Sequence, residues 1–373
     1  MASITNSIFQ YMEWRGDLSF SASPFQAVDS LILCCLSYIR LQPIEELVQD
    51  IPLTDLAKAF QQLPEEQRKK RVQEDEELLY SLASSIRFGN MLVTHYVDHI
   101  DPMQEKQFSA MTFLLDDDTL FIAFRGTDNT LVGWKEDFNM TFMSEVPAQL
   151  EAVAYLQKIA TLYPDKKILL GGHSKGGNLA VYAAAYCREA VQDRILSIYN
   201  HDGPGFHHDI ITSPQYQNIC ERIHTYVPQS SVVGMLMEHE EAYTVIKSSQ
   251  ISLWQHDPYS WNLKGPNFMQ VESVDLGSRM FDAAMKSWLS QLETEQRAAF
   301  VDTLFQILST TNASSFKEMN ENRMRTSAAI LKALRLSDKE TRKIITNGIS
   351  VLFSSVMTAI ETTWQKEEHT SIS

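Results

Sequence analysis

Apolar residues are spaced differently in the two ends and the middle of this chain. Residues 1 to about 85 read as mainly helical: Ala27 to Tyr38 is an apolar helix, and Pro43, Pro52 and Pro64 punctuate the stretch after it. In the middle the apolar residues gather into short runs. Phe108 to Leu115 and Thr119 to Arg125 predict two strands joined at Asp116-Asp117-Asp118, a hairpin signal. Ala148 to Leu162 is amphipathic, and a strand through Ile168 to Leu170 leads into a helix over Leu179 to Tyr186. Ile195 to Asn200 and Arg222 to Val227 predict further strands, with a weaker one at Tyr243 to Ile246. Strand, helix, strand, helix, strand calls for an α/β layer with a mostly parallel central sheet flanked by helices. From Ser273 onward the pattern is helical, with a capping box at Ser337 and Glu340. Helical N- and C-terminal additions are therefore expected around the core, with boundaries near 1–85, 86–265 and 266–373.

The run Gly171-Gly172-His173-Ser174-Lys175-Gly176-Gly177 joins that central strand to its helix and contains G-x-S-x-G. At ordinary Gly and Ser frequencies a chain of this length shows roughly 0.1 chance matches to the pattern. Its place between a strand and an Ala-rich helix is what a nucleophile elbow requires: Ser174 at the apex, with Gly172 and Gly176 where side chains would clash. The Lys175 N–H would then face an oxyanion, and the Thr127 N–H, after the bend at Gly126, is the candidate second donor.

A serine nucleophile needs a base, and the base needs an orienting acid. Of the histidines beyond the elbow (His201, His207, His208, His224, His239, His256), His256 lies after the last strand, where a catalytic histidine loop belongs. Asp202, at the end of the strand from Ile195, is the leading acid, and the alternative for it is an ordinary turn residue. Asp257 and the cluster Glu238, Glu240 and Glu241 are weaker choices. Lys175 either faces solvent or acts on substrate charge or on His256.

Charge narrows the partners. Lys plus Arg total 32 against 47 Asp plus Glu, a net charge of -15, so nucleic acid and anionic membranes are disfavoured. The dense basic cluster Arg68-Lys69-Lys70-Arg71 is surrounded by acids and reads as a solvated helix face. Cys34, Cys35, Cys187 and Cys220 show neither metal nor disulfide spacing, and the first two sit in an apolar run that suggests buried thiols. No signal peptide precedes the fold, so a cytoplasmic location is the default expectation. Ile344 to Ile360 is too polar for a membrane span. Its apolar positions 345, 349, 352, 356 and 360 follow helical spacing, and peripheral contact with a membrane stays open.

Ala123-Phe124-Arg125-Gly126-Thr127 and Gly172-His173-Ser174-Lys175-Gly176-Gly177-Asn178-Leu179-Ala180 resemble the F-R-G-[ST] and G-H-S-x-G-G-x-L-A segments of class 3 lipases. The chain resembles the bacterial Mbeg-like proteins, a lipase-related family of unknown function, more closely still. Trp14 to Phe20, Gly133 to Phe138, Asp202-Gly203-Pro204-Gly205-Phe206, Ser231-Val232-Val233-Gly234 and Gln255-His256-Asp257-Pro258 carry that likeness, over roughly residues 8 to 265. The resemblance implies an α/β-hydrolase fold and brings no substrate. It also brings two departures. Ser231-Val232-Val233 occupies the slot where class 3 lipases place their acid, and Lys175 stands where they commonly carry Leu. By analogy Leu131 to Val146 lies where a lipase lid would be, although a segment packed on the core has the same composition.

The leading expectation is a serine hydrolase of carboxylic esters, on a small-molecule or lipid substrate, with no cofactor and no metal. The alternatives are a non-catalytic interaction protein on a hydrolase shell, an acyltransferase or thioesterase using the same triad, and a peptidase supported only by the elbow. Oligomeric state is not legible.

Overall fold

The computed structural model describes residues 7–116, 118–127, 131–140, 143, 145–250 and 252–275, then residues between 280 and 350, among them 293–309 and 342–347. The capping box expected at Ser337 and Glu340, and positions 349, 352, 356 and 360 of the late amphipathic segment, lie outside the described residues. The chain divides into two compact units. The first comprises Met1–Asp101, Gln107–Gly126 and Pro147–Val274, and the second Pro102–Lys106, Thr127–Val146 and the residues from Asp275 on.

The first unit is built on an eight-stranded sheet whose spatial order follows the chain. Its strands are β1 (Ile51–Pro52), β2 (Leu92–Asp101), β3 (Lys106–Leu114), β4 (Thr119–Phe124), β5 (Lys167–His173), β6 (Ile195–His201), β7 (Ile223–Pro228) and β8 (Tyr243–Ile246). β1 pairs antiparallel to β2, and β3 antiparallel to β4 through the Asp116 turn, where Asp116 Oδ1 accepts the N–H groups of Asp118 and Thr119. β4 to β8 are parallel throughout. A small antiparallel pair, β9 (Leu263–Lys264) and β10 (Asn267–Phe268), comes after them.

Alternation along the strands feeds two hydrophobic layers. In β4, Phe121 and Ala123 face one layer while Leu120, Ile122 and Phe124 face the other. The first layer takes α1 (Ile8–Arg15), α2 (Ala27–Leu36), α3 (Leu53–Gln62) and α4 (Gln73–Ala83). The opposite layer takes α6 (Pro147–Leu162) and α7 (Lys175–Tyr186). This is an α/β-hydrolase-type, mostly parallel sheet flanked by helices, and the N-terminal helices form one flank of it. A buried ion pair pins that flank. Asp29 Oδ1 accepts Arg87 Nε at 2.8 Å and Tyr11 Oη at 2.9 Å, and Asp29 Oδ2 accepts the Gln26 N–H at 2.8 Å. Each of these bonds satisfies a group that would otherwise be stranded out of water.

The strand β2 is not anticipated by the sequence pattern. Its polar residues fall on both faces, and Asp98 is buried where Arg125 meets it with two bonds of 2.9 and 2.6 Å and the Tyr96 hydroxyl with one of 3.1 Å. The basic cluster also differs from expectation. Residues 68–70 are irregular and Arg71 begins a bend, so the cluster is not on a helix. Arg68 and Lys70 both pair with Glu76, and Arg71 lies over the Tyr38 ring at 4.1 Å and pairs with Asp75. All four cysteines are free thiols, and Cys34, Cys35 and Cys187 are buried, which pushes each of those three upward in pKa.

In the second unit, α5 (Leu131–Asn139) packs on the helix Thr294–Ser309. Phe138 meets Phe305 edge-on at 5.9 Å, and Lys135 pairs with both Glu105 and Asp302. Among the described residues no helix is long and apolar enough to cross a membrane.

Candidate active site

The elbow forms as its glycines demand. A Cβ on Gly172 would lie 2.0 Å from the Gly176 carbonyl group, and one on Gly176 would lie 2.1 Å from the Phe124 oxygen. Neither position admits a side chain while β5 turns into α7. Ser174 sits between them at φ 60°, ψ -135°, a conformation that costs a residue with a Cβ on the order of 1–3 kcal/mol. The surroundings fix it there. The Ser174 N–H donates to the His201 carbonyl at 2.9 Å, and the Ser174 carbonyl accepts the Gly177 N–H at 2.9 Å.

Asp202 comes directly after β6, is fully buried, and is also held at positive φ, 54°. Its N–H donates to the Tyr226 carbonyl on the neighbouring strand β7. Oδ2 accepts from His256 Nδ1 at 2.6 Å. Oδ1 accepts from Ser231 Oγ at 2.5 Å and from the Gly234 N–H at 3.2 Å. The slot that lacks a lipase-type acid thus supplies a hydroxyl that steadies Asp202, just beyond β6.

His256 ends the short 3₁₀ helix Ser252–His256 and keeps its side chain 28% exposed. Its ring lies 4.6 Å from that of His173, the residue before Ser174. The His256 carbonyl accepts from His173 Nε2 at 2.8 Å, so His173 carries its hydrogen there and takes the Tyr38 hydroxyl on Nδ1 at 3.0 Å. The preceding carbonyl, Gln255, accepts from the buried Trp261 indole at 2.8 Å. With Nδ1 committed to Asp202, Nε2 of His256 is the nitrogen left for proton exchange. His173, Tyr38, Ser231 and Trp261 were not singled out as site residues by the sequence. Of these, His173 occurs only inside the elbow run and its lipase likeness, and Ser231 only inside the likeness at Ser231-Val232-Val233-Gly234.

Of the other histidines, His201 binds Ser30 through Nε2, His208 pairs with Glu238, and His239 pairs with Glu241. Among the described residues Asp202 accepts from no histidine but His256. Asp257 instead caps the turn after the histidine, accepting the Tyr259 N–H at 3.2 Å. Lys175 does not face solvent. It is 1% exposed, and its Nζ donates to the Gln107 carbonyl at 2.9 Å and to Gln107 Oε1 at 3.0 Å. This draws the ammonium toward β3, where Gln107 supplies two acceptors. Thr127 belongs to the second unit, where its hydroxyl donates to Asp137 at 2.7 and 2.6 Å. Gly126, one residue earlier, belongs to the first, and a Cβ there would lie 3.0 Å from Ser174 Cβ.

Two histidines under the site make the fold acid-sensitive. Burial pushes His201 from 6.5 down to about 3, and burial with the nearby His256 and Arg71 holds His173 well below its usual range. Below pH 6.5 the unfolded chain protonates at His201 while the native chain stays neutral until about pH 3. Stability is therefore full above pH 6.5 and falls as pH drops through that window, by about 1.4 kcal/mol per pH unit for this one group. Denaturant midpoints at pH 5 are expected well below those at pH 7.5, and His201→Asn should flatten the slope. A wild-type midpoint that does not move would refute the linkage.

The Mbeg1-like family model matches residues 82–306, which leaves the Trp14 to Phe20 segment outside the match and extends past residue 265. No curated protein matches the chain. The chain is similar to the structure of the native Rhizomucor miehei lipase propeptide complex, with 16% identity, a TM-score of 0.38, and coverage of 60% of this chain and 68% of that one. It is also similar to lipase II from Rhizopus niveus, at 14% identity and a TM-score of 0.40, over 60% of this chain and 80% of the other. The fold assignment rests on strand order and the elbow rather than on overlaps of that size. The family model spans more than half of the sequence, and the chain belongs to the Mbeg1-like family.

Proposed function

We propose that this protein is a serine hydrolase of carboxylic esters, with Ser174 as nucleophile, His256 as base and Asp202 as the acid that orients it. The observation that carries the reading is the 2.6 Å bond from His256 Nδ1 to a fully buried Asp202, beside a serine held at positive φ after β5. In this scheme Ser174 Oγ attacks the ester carbonyl while His256 Nε2 takes its proton. Charge gathers on the carbonyl oxygen, where the Lys175 N–H, opening α7, stabilises it; the Thr127 N–H is the second donor that the sequence motif offers. Asp202 stabilises the imidazolium without taking its proton. Collapse breaks the bond to the alcohol, which leaves with the proton from His256. Water then repeats the sequence on the acyl-serine, releasing the carboxylic acid and restoring the serine. No step calls on a metal or redox cofactor. Substrates are small-molecule or lipid esters, and a thioester or an acceptor alcohol in place of water would use the same groups.

The test is labelling of the folded protein by a fluorophosphonate probe, with the modified peptide identified by mass spectrometry. Phosphonylation of Ser174 is expected. A folded protein that stays unlabelled, or is labelled only elsewhere, would refute an activated nucleophile and favour the interaction-protein alternative.

A further inference from the structure

A second histidine–carboxylate pair lies beneath the acid. The side chains of His239 and Glu241 are 6% and 3% exposed, and His239 Nδ1 meets Glu241 Oε1 at 3.0 Å. The other ring nitrogen, Nε2, lies 2.8 Å from the Gly234 carbonyl oxygen. Glu241 is held down to about 2, chiefly by its bonds to His239 and to Thr225 and Tyr216, which outweigh the effect of burial. It is therefore an acceptor, and a carbonyl oxygen is always one. Both nitrogens of His239 face acceptors, so both must carry hydrogen for the two bonds to exist.

Each end of this pair is anchored. Glu241 also accepts from the Tyr216 hydroxyl, on the short helix Pro214–Gln217, and from the Thr225 hydroxyl on β7, each at 2.5 Å. Other ionisable groups near the pair, among the described residues, include Cys220, Glu221, Glu240 and Tyr243. On the far side, Gly234 links the two: His239 holds its carbonyl, and its N–H, on the preceding peptide group, donates toward Asp202 Oδ1 and toward Ser231 Oγ, at 3.2 and 3.0 Å. A Cβ on Gly234 would lie 2.3 Å from Asp202 Oδ1, so this turn lies directly against the carboxylate.

Accepting Asp202 as the triad acid, we propose that His239, bonded at both ring nitrogens between Glu241 and the Gly234 carbonyl, is a positioning residue that fixes Asp202 toward His256. The relay runs from the sheet core through Glu241 and His239 to the Ser231–Gly234 turn, and from there to the acid. A buried pair costs desolvation, and its return here is a turn held in one geometry.

Ring ¹⁵N spectra of the wild-type protein near neutral pH test the protonation directly: both nitrogens of His239 are expected to carry hydrogen, and a neutral tautomer overturns the proposal. The downfield proton on His256 Nδ1 reports the bond to Asp202 whether or not the protein turns over substrate. In His239→Ala that resonance should shift or vanish, and fluorophosphonate labelling of the folded fraction should slow at least about tenfold. His239→Gln, whose amide N–H can reach the Gly234 carbonyl, should restore both readouts and supplies the comparison if the alanine variant does not fold. A folded His239→Ala protein with an unchanged resonance and labelling rate would sink the positioning role and leave the hydrolase reading standing. Wild-type protein showing the expected histidine signals but no labelling would sink the hydrolase reading alone.

Discussion

Ser174→Ala is expected to lower ester turnover by at least about three orders of magnitude and to abolish fluorophosphonate labelling, with the fold intact. The hydroxyl is the only group the substitution removes. Alanine keeps the Cβ and with it the strain of φ 60°, and the bonds that fix the elbow come from the backbone of residue 174 rather than its side chain. Melting should therefore stay close to wild type. Ser174→Gly makes a useful companion, since glycine adopts positive φ without steric penalty and should be as inactive as alanine but no less stable. Whatever turnover survives measures the oxyanion donors and binding alone. Steady-state hydrolysis of a chromogenic ester, with circular dichroism on the same samples, gives the comparison. Turnover retained in Ser174→Ala would mean that the chemistry lies elsewhere.

The elbow was legible because one backbone geometry imposes its residue types: the 2.0 and 2.1 Å approaches at Gly172 and Gly176 exclude any side chain, so the spacing carries the turn. The parallel strands were legible because a strand buried on both faces reads as an apolar run, as in β4 and β5. His256 and Asp202 could be ordered along the chain, but which acid meets the ring is a tertiary fact.

Polar burial that depends on a distant partner stayed hidden. β2 carries Asp98 into the interior because Arg125 comes to meet it, and no local pattern announces such a pair. Lys175 looked like a surface lysine until Gln107, far away in sequence, supplied its acceptors. Arg71 reads as one charge in a basic run, yet it packs over Tyr38, which in turn bonds to His173 beside Ser174. In each case the deciding term is a hydrogen bond or ion pair formed across the fold, which periodicity does not encode.

Asp202→Asn is expected to cost about 10⁴-fold in kcat, the scale seen when a triad acid keeps its shape but loses its charge. The surroundings dictate how the amide would sit. Two donors, the Ser231 hydroxyl and the Gly234 N–H, point at Oδ1, so the amide oxygen must occupy that side. Its NH₂ group is then turned to His256 Nδ1, now a position for a donor facing a nitrogen that must accept. The ring is driven to the tautomer with hydrogen on Nε2, which cannot take the proton of Ser174. Asp257→Asn is the control, because that side chain caps the Tyr259 N–H rather than meeting the His256 ring, and the change should leave kcat nearly unchanged. If Asp257→Asn were the variant that lost activity and Asp202→Asn were not, the acid would be misassigned. If both kept full activity, His256 would be working without an orienting carboxylate. Loss at Asp202 alone, with the downfield His256 proton gone, would tie the rate to the 2.6 Å bond rather than to the fold.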